Sequence, residues 1–125
     1  MILDTNCLSD LAAGAPGVES LLQRANQAAV PAVVLGEYKY GLRQSRYRTI
    51  HERWLVTFLA GCRVLPVDEG TAERYAEIRD ELRRIGRPIP ENDIWIAALA
   101  RQHALPVLSR DKHFDFVSGL TRIAW

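Results

Sequence analysis

The chain has 125 residues, of which 48% are hydrophobic and 25% are charged, so residues 1–125 are expected to form a single globular domain. This composition excludes a disordered chain, and no apolar run approaches the roughly 20 residues that a membrane-spanning helix needs. The formal net charge of +1 favours no class of partner, and because no basic segment followed by an apolar one opens the sequence, a cytoplasmic location is expected.

Short apolar runs alternate with stretches of helical periodicity along the whole chain. The predicted strands are, in order, Ile2–Leu3, 28–34, 63–67, 106–108 and 122–124. The predicted helices cover 7–13, 16 to about 27, 35–43, a stretch around 47–58, 68–85, and a last stretch that begins near residue 90. This alternation predicts an α/β fold, a three-layer α/β/α sandwich around a parallel sheet of four to five strands.

Local signals mark several boundaries in this pattern. Asp68 suits the N-cap of the fifth helix, and Gly86 suits its end. Pro90 suits the first turn of the next helix, whose residues 94–99 are apolar nearly all round, so this helix is expected to be buried. Pro31 lacks a backbone donor, which predicts an early or outer place in its strand.

Four acidic residues fall at related positions. Asp4 ends the first strand, Glu37 lies early in the helix after the second strand, and Asp93 opens the buried helix. Asp111 follows the fourth strand. Parallel strands end at one edge of a sheet, where α/β proteins place their ligand sites, so the four carboxylates are expected to meet there. The alternative for Asp4 and Thr5 is a capping role at the next helix.

Carboxylates that meet in this way need a partner for their charge. Four of them repel one another unless several are protonated or a divalent cation holds them. Oxygen ligands without cysteine or histidine favour Mg²⁺ or Mn²⁺ over zinc. Such a site can bind a phosphate, activate a water molecule and stabilise a leaving oxygen, which is the chemistry of phosphodiester hydrolysis.

Four segments resemble the motifs of a known family. They are Ile2-Leu3-Asp4-Thr5-Asn6, Gly36-Glu37-Tyr38 with Tyr40-Gly41, residues 92–98, and Ser109-Arg110-Asp111-Lys112-His113-Phe114. In this order they resemble the motifs of PIN-domain proteins. Their spacing and the length of the chain are similar to those of the VapC-type toxins of bacterial type II toxin–antitoxin pairs. The resemblance covers essentially the whole chain and implies a single PIN-like domain.

The resemblance implies an endoribonuclease that depends on Mg²⁺ or Mn²⁺. By match to the motifs, Asp4, Glu37, Asp93 and Asp111 would be the catalytic and metal-binding quartet. Asp4 and Asp93 would be the most direct metal ligands, while Glu37 and Asp111 would complete the site or hold water on the metal.

Further residues are given supporting roles by the same match. Thr5 occupies the position of a hydroxyl near the metal or phosphate, and Asn92 would support the loop through hydrogen bonds. Asp115 could replace or supplement Asp111 in the site. The simpler interpretation is that Asp115 is an acid of a surface loop. Four basic residues near the motifs are candidate substrate contacts: Arg43, Arg46, Arg110 and Lys112.

The histidines bear on the mechanism. His51, His103 and His113 are not spaced as metal ligands, and His113 is interpreted as structural, with a substrate contact as the alternative. Without a histidine pair, we disfavour a mechanism that uses the RNA 2′-hydroxyl as nucleophile. Attack by an activated water predicts 5′-phosphate and 3′-hydroxyl ends.

The partners that the resemblance implies are an RNA substrate, a VapB-like antitoxin and a second copy of the chain in a homodimer, with no membrane. An antitoxin tail with a basic side chain would suit the acidic cleft. Tyr47, Trp54 and Phe58 either belong to the core or build a groove for this partner.

Two other classes of function compete with this prediction: a binding module, and another α/β phosphate enzyme such as a phosphatase or a response-regulator receiver. A binding module could keep the fold without the chemistry, although the intact acids argue against it. A haloacid-dehalogenase-like phosphatase needs an acid two residues after Asp4, where Asn6 stands. A response-regulator receiver fits poorly because its late lysine could only be Lys112.

Overall fold

One parallel sheet organises the chain, and the computed structural model describes residues 1–24 and 27–125 of it. Within these ranges the sheet has five strands, which are β1 (Ile2–Leu3), β2 (Ala29–Pro31), β3 (Arg63–Leu65), β4 (Val107–Leu108) and β5 (Arg122–Ile123). Their order is β3-β2-β1-β4-β5, and every neighbouring pair is parallel. The order reverses beside β1, and in such sheets ligands bind at the carboxyl ends of the strands on either side of this point.

Helices connect the strands and cover the sheet in an α/β/α arrangement. They are α1 (Thr5–Ala12), α2 (Pro16–Arg24), α3 (Ala32–Arg43), α4 (Arg48–Ala60), α5 (Glu69–Arg84) and α6 (Glu91–His103), with a short 3-10 helix at Lys112–Phe116. In the described part of the chain, none of these helices has the length and apolar character needed to cross a bilayer. The predicted fold class is confirmed.

The core lies between the sheet and the helices. Both residues of β1 and both residues of β4 have no solvent exposure. Helix α6 is buried nearly all round, as predicted, since Ile94 is 5% exposed and Leu99 is fully buried. Burial of each such side chain contributes roughly 1.5–3 kcal/mol relative to leaving it in water. The central strands and α6 are therefore the rigid frame of the molecule.

The predicted strand at residues 28–34 is too long. Strand β2 ends at Pro31, and α3 begins at once with Ala32. The β-branched residues Val33 and Val34 suit a strand by propensity, but they lie in the first turn of a helix, where Val34 is fully buried. Tertiary packing has overridden local preference here.

Pro31 lies at the end of its strand and not early in it, although β2 itself lies between β1 and β3. Pro31 is tolerated there because it is the last residue of the strand and the N-cap of α3, beyond the point at which Ala29 pairs with β1. Strand β1 has the predicted bounds, and β3, β4 and β5 are one or two residues shorter than predicted. The predicted second helix extended to about residue 27, but Ala25 and Asn26 lie outside the described residues.

Helix α5 has the predicted ends. Asp68 accepts a hydrogen bond from the Thr71 N–H at 3.0 Å, and the Thr71 hydroxyl accepts one from the Asp68 N–H at 3.1 Å, which together form a capping box. Beyond the other end, Gly86 has φ +67°, a left-handed conformation that glycine adopts without strain.

Polar contacts then fix α6 against α5. The Thr71 hydroxyl lies 2.6 Å from Gln102 Oε1, and Arg101 donates to both oxygens of Glu81 at 2.9 and 3.0 Å. These contacts are near the carboxyl end of α6. Its amino end, which carries Asn92 and Asp93, is left facing the edge of the sheet where β1 and β4 end.

Candidate metal centre

Asp4 follows β1 directly and is 5% exposed. One oxygen of its carboxylate accepts a hydrogen bond from the Cys7 backbone N–H at 2.7 Å, so Asp4 is the N-cap of α1. The other oxygen accepts a hydrogen bond from the hydroxyl of Ser109. Asp4 therefore caps a helix and also faces the carboxyl end of β4, so the two readings of this residue are compatible.

Ser109 is a residue that the sequence analysis did not select. It follows β4 directly and is fully buried. Besides donating to Asp4, its Oγ accepts a hydrogen bond from the Asp111 N–H at 2.9 Å. Ser109 follows β4 in the same way as Asp4 follows β1, and the two strands are neighbours. This equivalence in position is a signal that could have identified Ser109.

Asp93, Asp111 and His113 form the centre of the site. Their ligand atoms all lie within 4.8 Å of one another, which is the spacing of a group that can hold a metal ion. His113 Nδ1 is 2.9 Å from Asp111 Oδ1 and 3.4 Å from Asp93 Oδ2. The spacing of the histidines along the sequence gives no sign of this group, because folding brings His113 to the two acids.

Glu37 reaches the same region through Asn92. It is half-buried on α3, and its Oε1 accepts a hydrogen bond from Asn92 Nδ2 at 3.0 Å. Asn92 directly precedes Asp93 at the start of α6. Glu37 is outside the group formed by Asp93, Asp111 and His113, so it borders the cluster from the side of α3.

The two remaining supporting residues differ in their surroundings. The Thr5 hydroxyl is buried without a hydrogen-bond partner among the described residues. Asp115, in contrast, accepts hydrogen bonds from the guanidinium of Arg122 at 2.8 and 2.9 Å, and it is not in the cluster. Of the two alternatives for the fourth acid, the structure brings Asp111 and not Asp115 to the other carboxylates.

The candidate substrate contacts are dispersed. Arg110 lies 3.3 Å from an oxygen of Asp10 and stacks over the ring of Trp125 at 4.6 Å. Arg46 lies over its neighbour Tyr47 at 5.1 Å. Arg43 and Lys112 are exposed, the first at the end of α3 and the second beside Asp111.

Trp54 and Phe58 are half-buried and stack on each other with ring centroids 4.9 Å apart. They line a groove together with Leu11 and Leu22 of the first two helices. Tyr47 is 51% exposed and precedes α4. Trp54 and Phe58 are thus packed against the core and also accessible from a groove, while Tyr47 is a surface residue.

Two carboxyl groups of the site, those of Asp4 and Asp93, have raised pKa values. Burial, and then the negative charge of Asp111, raises the pKa of Asp93 to about 6, although the His113 imidazole partly offsets the rise. Burial also raises the pKa of Asp4, and its hydrogen bonds with Ser109 and Cys7 reduce this effect. The site thus holds more negative charge than its surroundings stabilise, which suits a bound cation.

Because of these raised pKa values, the metal-free protein should lose stability as the pH rises. Between about pH 4 and pH 6 the folded state binds more protons than the unfolded state, so the free energy of unfolding falls across this window and levels off above it. The Asp93 contribution is on the order of 3 kcal/mol. We expect Asp93→Asn to remove most of this fall when urea unfolding is followed in EDTA from pH 4.5 to pH 7.

Asp80→Asn is the control for this measurement, because a hydrogen bond from Arg83 lowers the pKa of that carboxyl. This variant should keep the decline between pH 4 and pH 6. A decline of the same size in Asp93→Asn would show that another group is responsible.

The donor set fits a divalent cation. Carboxylates from β1, α6 and the segment after β4 converge, their charge is poorly compensated, and His113 Nδ1 is buried without an aligned hydrogen bond to any described residue. A partly buried cluster of acids is unfavourable by itself and becomes favourable when a cation binds.

Comparisons with known proteins agree with this architecture. The family model for the PIN domain matches residues 1–120. The chain is 32% identical over 124 residues to "Ribonuclease VapC5" of Mycobacterium tuberculosis, covering 98% of this chain and 90% of that protein. It is also 32% identical over 133 residues to "Toxin FitB" of Neisseria gonorrhoeae, covering 96% and 94%.

A solved structure shows the same fold. DNA-bound VapBC from Salmonella typhimurium superposes with a TM-score of 0.87 at 25% identity, covering 99% of this chain and 96% of that chain. The family match spans nearly the whole sequence, and the acids of its motifs converge at the sheet edge where β1 and β4 end. On these grounds the chain belongs to the PIN-domain family.

Proposed function

We propose that this protein is the toxin of a type II toxin–antitoxin pair and acts as a divalent-metal-dependent endoribonuclease. The observation that carries the proposal is the group formed by Asp93 and Asp111 with His113 at one sheet edge. Ser109 connects Asp4 to Asp111, and Asn92 connects Glu37 to the same edge. The similarity to a ribonuclease and to a toxin, which covers at least nine-tenths of this chain and of each of those proteins, supports the same activity.

The acidic residues would hold the cation, with Asp93 and Asp111 at the centre, Asp4 beside them, and Glu37 at the border. When bound, Mg²⁺ or Mn²⁺ would neutralise the carboxylates, accept the scissile phosphate and lower the pKa of a water molecule. Ser109 fixes the Asp4 carboxylate and the Asp111 backbone in one network. The protein thus supplies a prearranged set of oxygen ligands.

Charge explains why RNA needs the cation at this site. An uncompensated group of carboxylates repels a phosphodiester, whereas the loaded site attracts it. Arg43, Arg46 and Lys112 are exposed and available to contact the backbone of the RNA. Arg110 is already held by Asp10 and Trp125, so its role at the substrate would require those contacts to be exchanged.

The partner that we propose is a VapB-like antitoxin in the cytoplasm, bound to a homodimer of this chain. The similarity to a VapBC complex supports this partner. A basic side chain from an antitoxin segment would compete with the cation for the same carboxylates, which gives a physical basis for inhibition. The groove beside Trp54 and Phe58 would accept an apolar part of the segment.

The activity is tested by incubating the purified protein with transfer, ribosomal and messenger RNA. We expect cleavage with Mg²⁺ or Mn²⁺, none in EDTA, and recovery when the ion is added back. The new ends should be 5′-phosphate and 3′-hydroxyl. Cleavage that persists in EDTA, or ends with a 2′,3′-cyclic phosphate, would contradict the mechanism. RNA binding without cleavage under every ionic condition would instead identify a catalytically silent binding module.

A further inference from the structure

His113 lies at the site in a way that its sequence position does not predict. Its side chain is 45% exposed, but the Nδ1 atom is buried and faces the acidic cluster. This atom is 2.9 Å from an oxygen of Asp111 and 3.4 Å from an oxygen of Asp93. One ring nitrogen is thus directed at the two carboxylates, while part of the ring remains in contact with solvent.

These separations match those between neighbouring ligands of one ion. Atoms at adjacent positions of an octahedral ion, each about 2.1 Å from it, lie about 3.0 Å apart. A distance of 2.9 Å would also suit a hydrogen bond, but Nδ1 forms no aligned hydrogen bond with any described residue. The nitrogen is therefore close to both carboxylates, and an aligned hydrogen bond to either one does not explain the orientation of the ring.

The backbone holds His113 in this place. The Asp111 carboxylate is the N-cap of the 3-10 helix and accepts a hydrogen bond from the His113 backbone N–H at 2.9 Å. The next residue, Phe114, has no solvent exposure and anchors the helix in the core. The backbone of His113 is thus held on both sides and loses little conformational freedom when the ring binds a ligand.

We propose that His113 Nδ1 is a direct ligand of the bound metal and that it shifts the preference of the site from Mg²⁺ towards Mn²⁺. This inference rests on the metal site in the proposed function. Mg²⁺ prefers oxygen ligands throughout, whereas first-row transition ions accept an imidazole nitrogen readily. Coordination through Nδ1 requires the neutral ring with its proton on Nε2.

A protonated His113 is the competing interpretation. An imidazolium beside Asp93 and Asp111 would act as a positive charge that occupies the place of the cation. The two interpretations differ in the sign of one effect. Removing a ligand weakens Mn²⁺ binding, whereas removing a competing positive charge strengthens it.

The test uses Mn²⁺ as a spectroscopic probe of the whole protein at neutral pH. Pulsed electron paramagnetic resonance of the Mn²⁺-loaded protein should show coupling to a directly bound ¹⁴N nucleus. This coupling should be absent from His113→Ala and retained in His103→Ala, the matched control on α6, whose Nδ1 lies 3.5 Å from Arg63. Thermal unfolding in EDTA establishes that both variants are folded.

Affinities measured by calorimetry complete the test. We expect His113→Ala to weaken Mn²⁺ binding by about tenfold and Mg²⁺ binding by much less. If the unaltered protein binds Mn²⁺ but shows no ¹⁴N coupling, His113 is not a ligand and the metal site itself stands. The same conclusion follows if His113→Ala binds Mn²⁺ as tightly as the unaltered protein or more tightly. If the unaltered protein binds no Mn²⁺, the proposed function fails as well.

Discussion

Asp93→Asn is expected to lower RNA cleavage by about a thousandfold or more at saturating Mn²⁺. Asp93 is 7% exposed and its carboxylate is in the group with Asp111 and His113. The amide has nearly the same shape but no charge, so the site loses a ligand and part of its attraction for the cation. Single-turnover cleavage of a defined RNA measures the loss.

The same substitution should not unfold the protein, because it removes a buried acid that lacks full compensation in the metal-free state. Asp80→Asn changes an acid on α5 that pairs with Arg83 and Arg84, and it should cleave RNA at nearly the unaltered rate. Activity of Asp93→Asn within tenfold of the unaltered protein would remove Asp93 from the metal-binding set.

Phe114→Ala is expected to lower the free energy of unfolding by about 3–5 kcal/mol. Phe114 is among the largest fully buried side chains in the described residues. Truncation leaves a cavity next to the segment that carries Asp111 and His113, so both should lose their fixed positions. Urea unfolding followed by tryptophan fluorescence measures the first effect, and Mn²⁺ binding to the protein that remains folded measures the second.

Phe116→Ala is the matched comparison two residues away. Phe116 is 38% exposed and Arg87 lies over its ring at 5.2 Å. Its truncation should cost about 1 kcal/mol or less and leave Mn²⁺ binding intact. Similar losses of stability in the two variants would show that Phe114 does not have the anchoring role described for it.

The sequence predicts the architecture well because hydrophobic periodicity and caps are local signals. The buried character of α6, the capping residue Asp68 and the end of α5 near Gly86 all follow from residues within one or two helical turns. The strand that was expected to extend to residue 34 did not, because the choice between strand and helix at Val33 and Val34 depends on what packs against them.

The site is predicted less completely, for a related reason. The position of Asp4 follows from its place at the end of a strand, but Ser109 and His113 acquire their roles from contacts across the fold. The Ser109 hydroxyl meets an acid 105 residues away in sequence. Asp111 and Asp115 are both acids near the same helix, and only contacts such as that between Asp115 and Arg122 distinguish them.

The adjacency of β1 and β4 has a consequence for protein synthesis. During translation the amino-terminal half leaves the ribosome without the strand against which β1 pairs, and without Asp111 or Ser109. A chain that stops before residue 107 lacks β4 and every ligand after it. A nascent chain that has not yet been extended past residue 113 therefore cannot assemble the cluster of Asp93, Asp111 and His113.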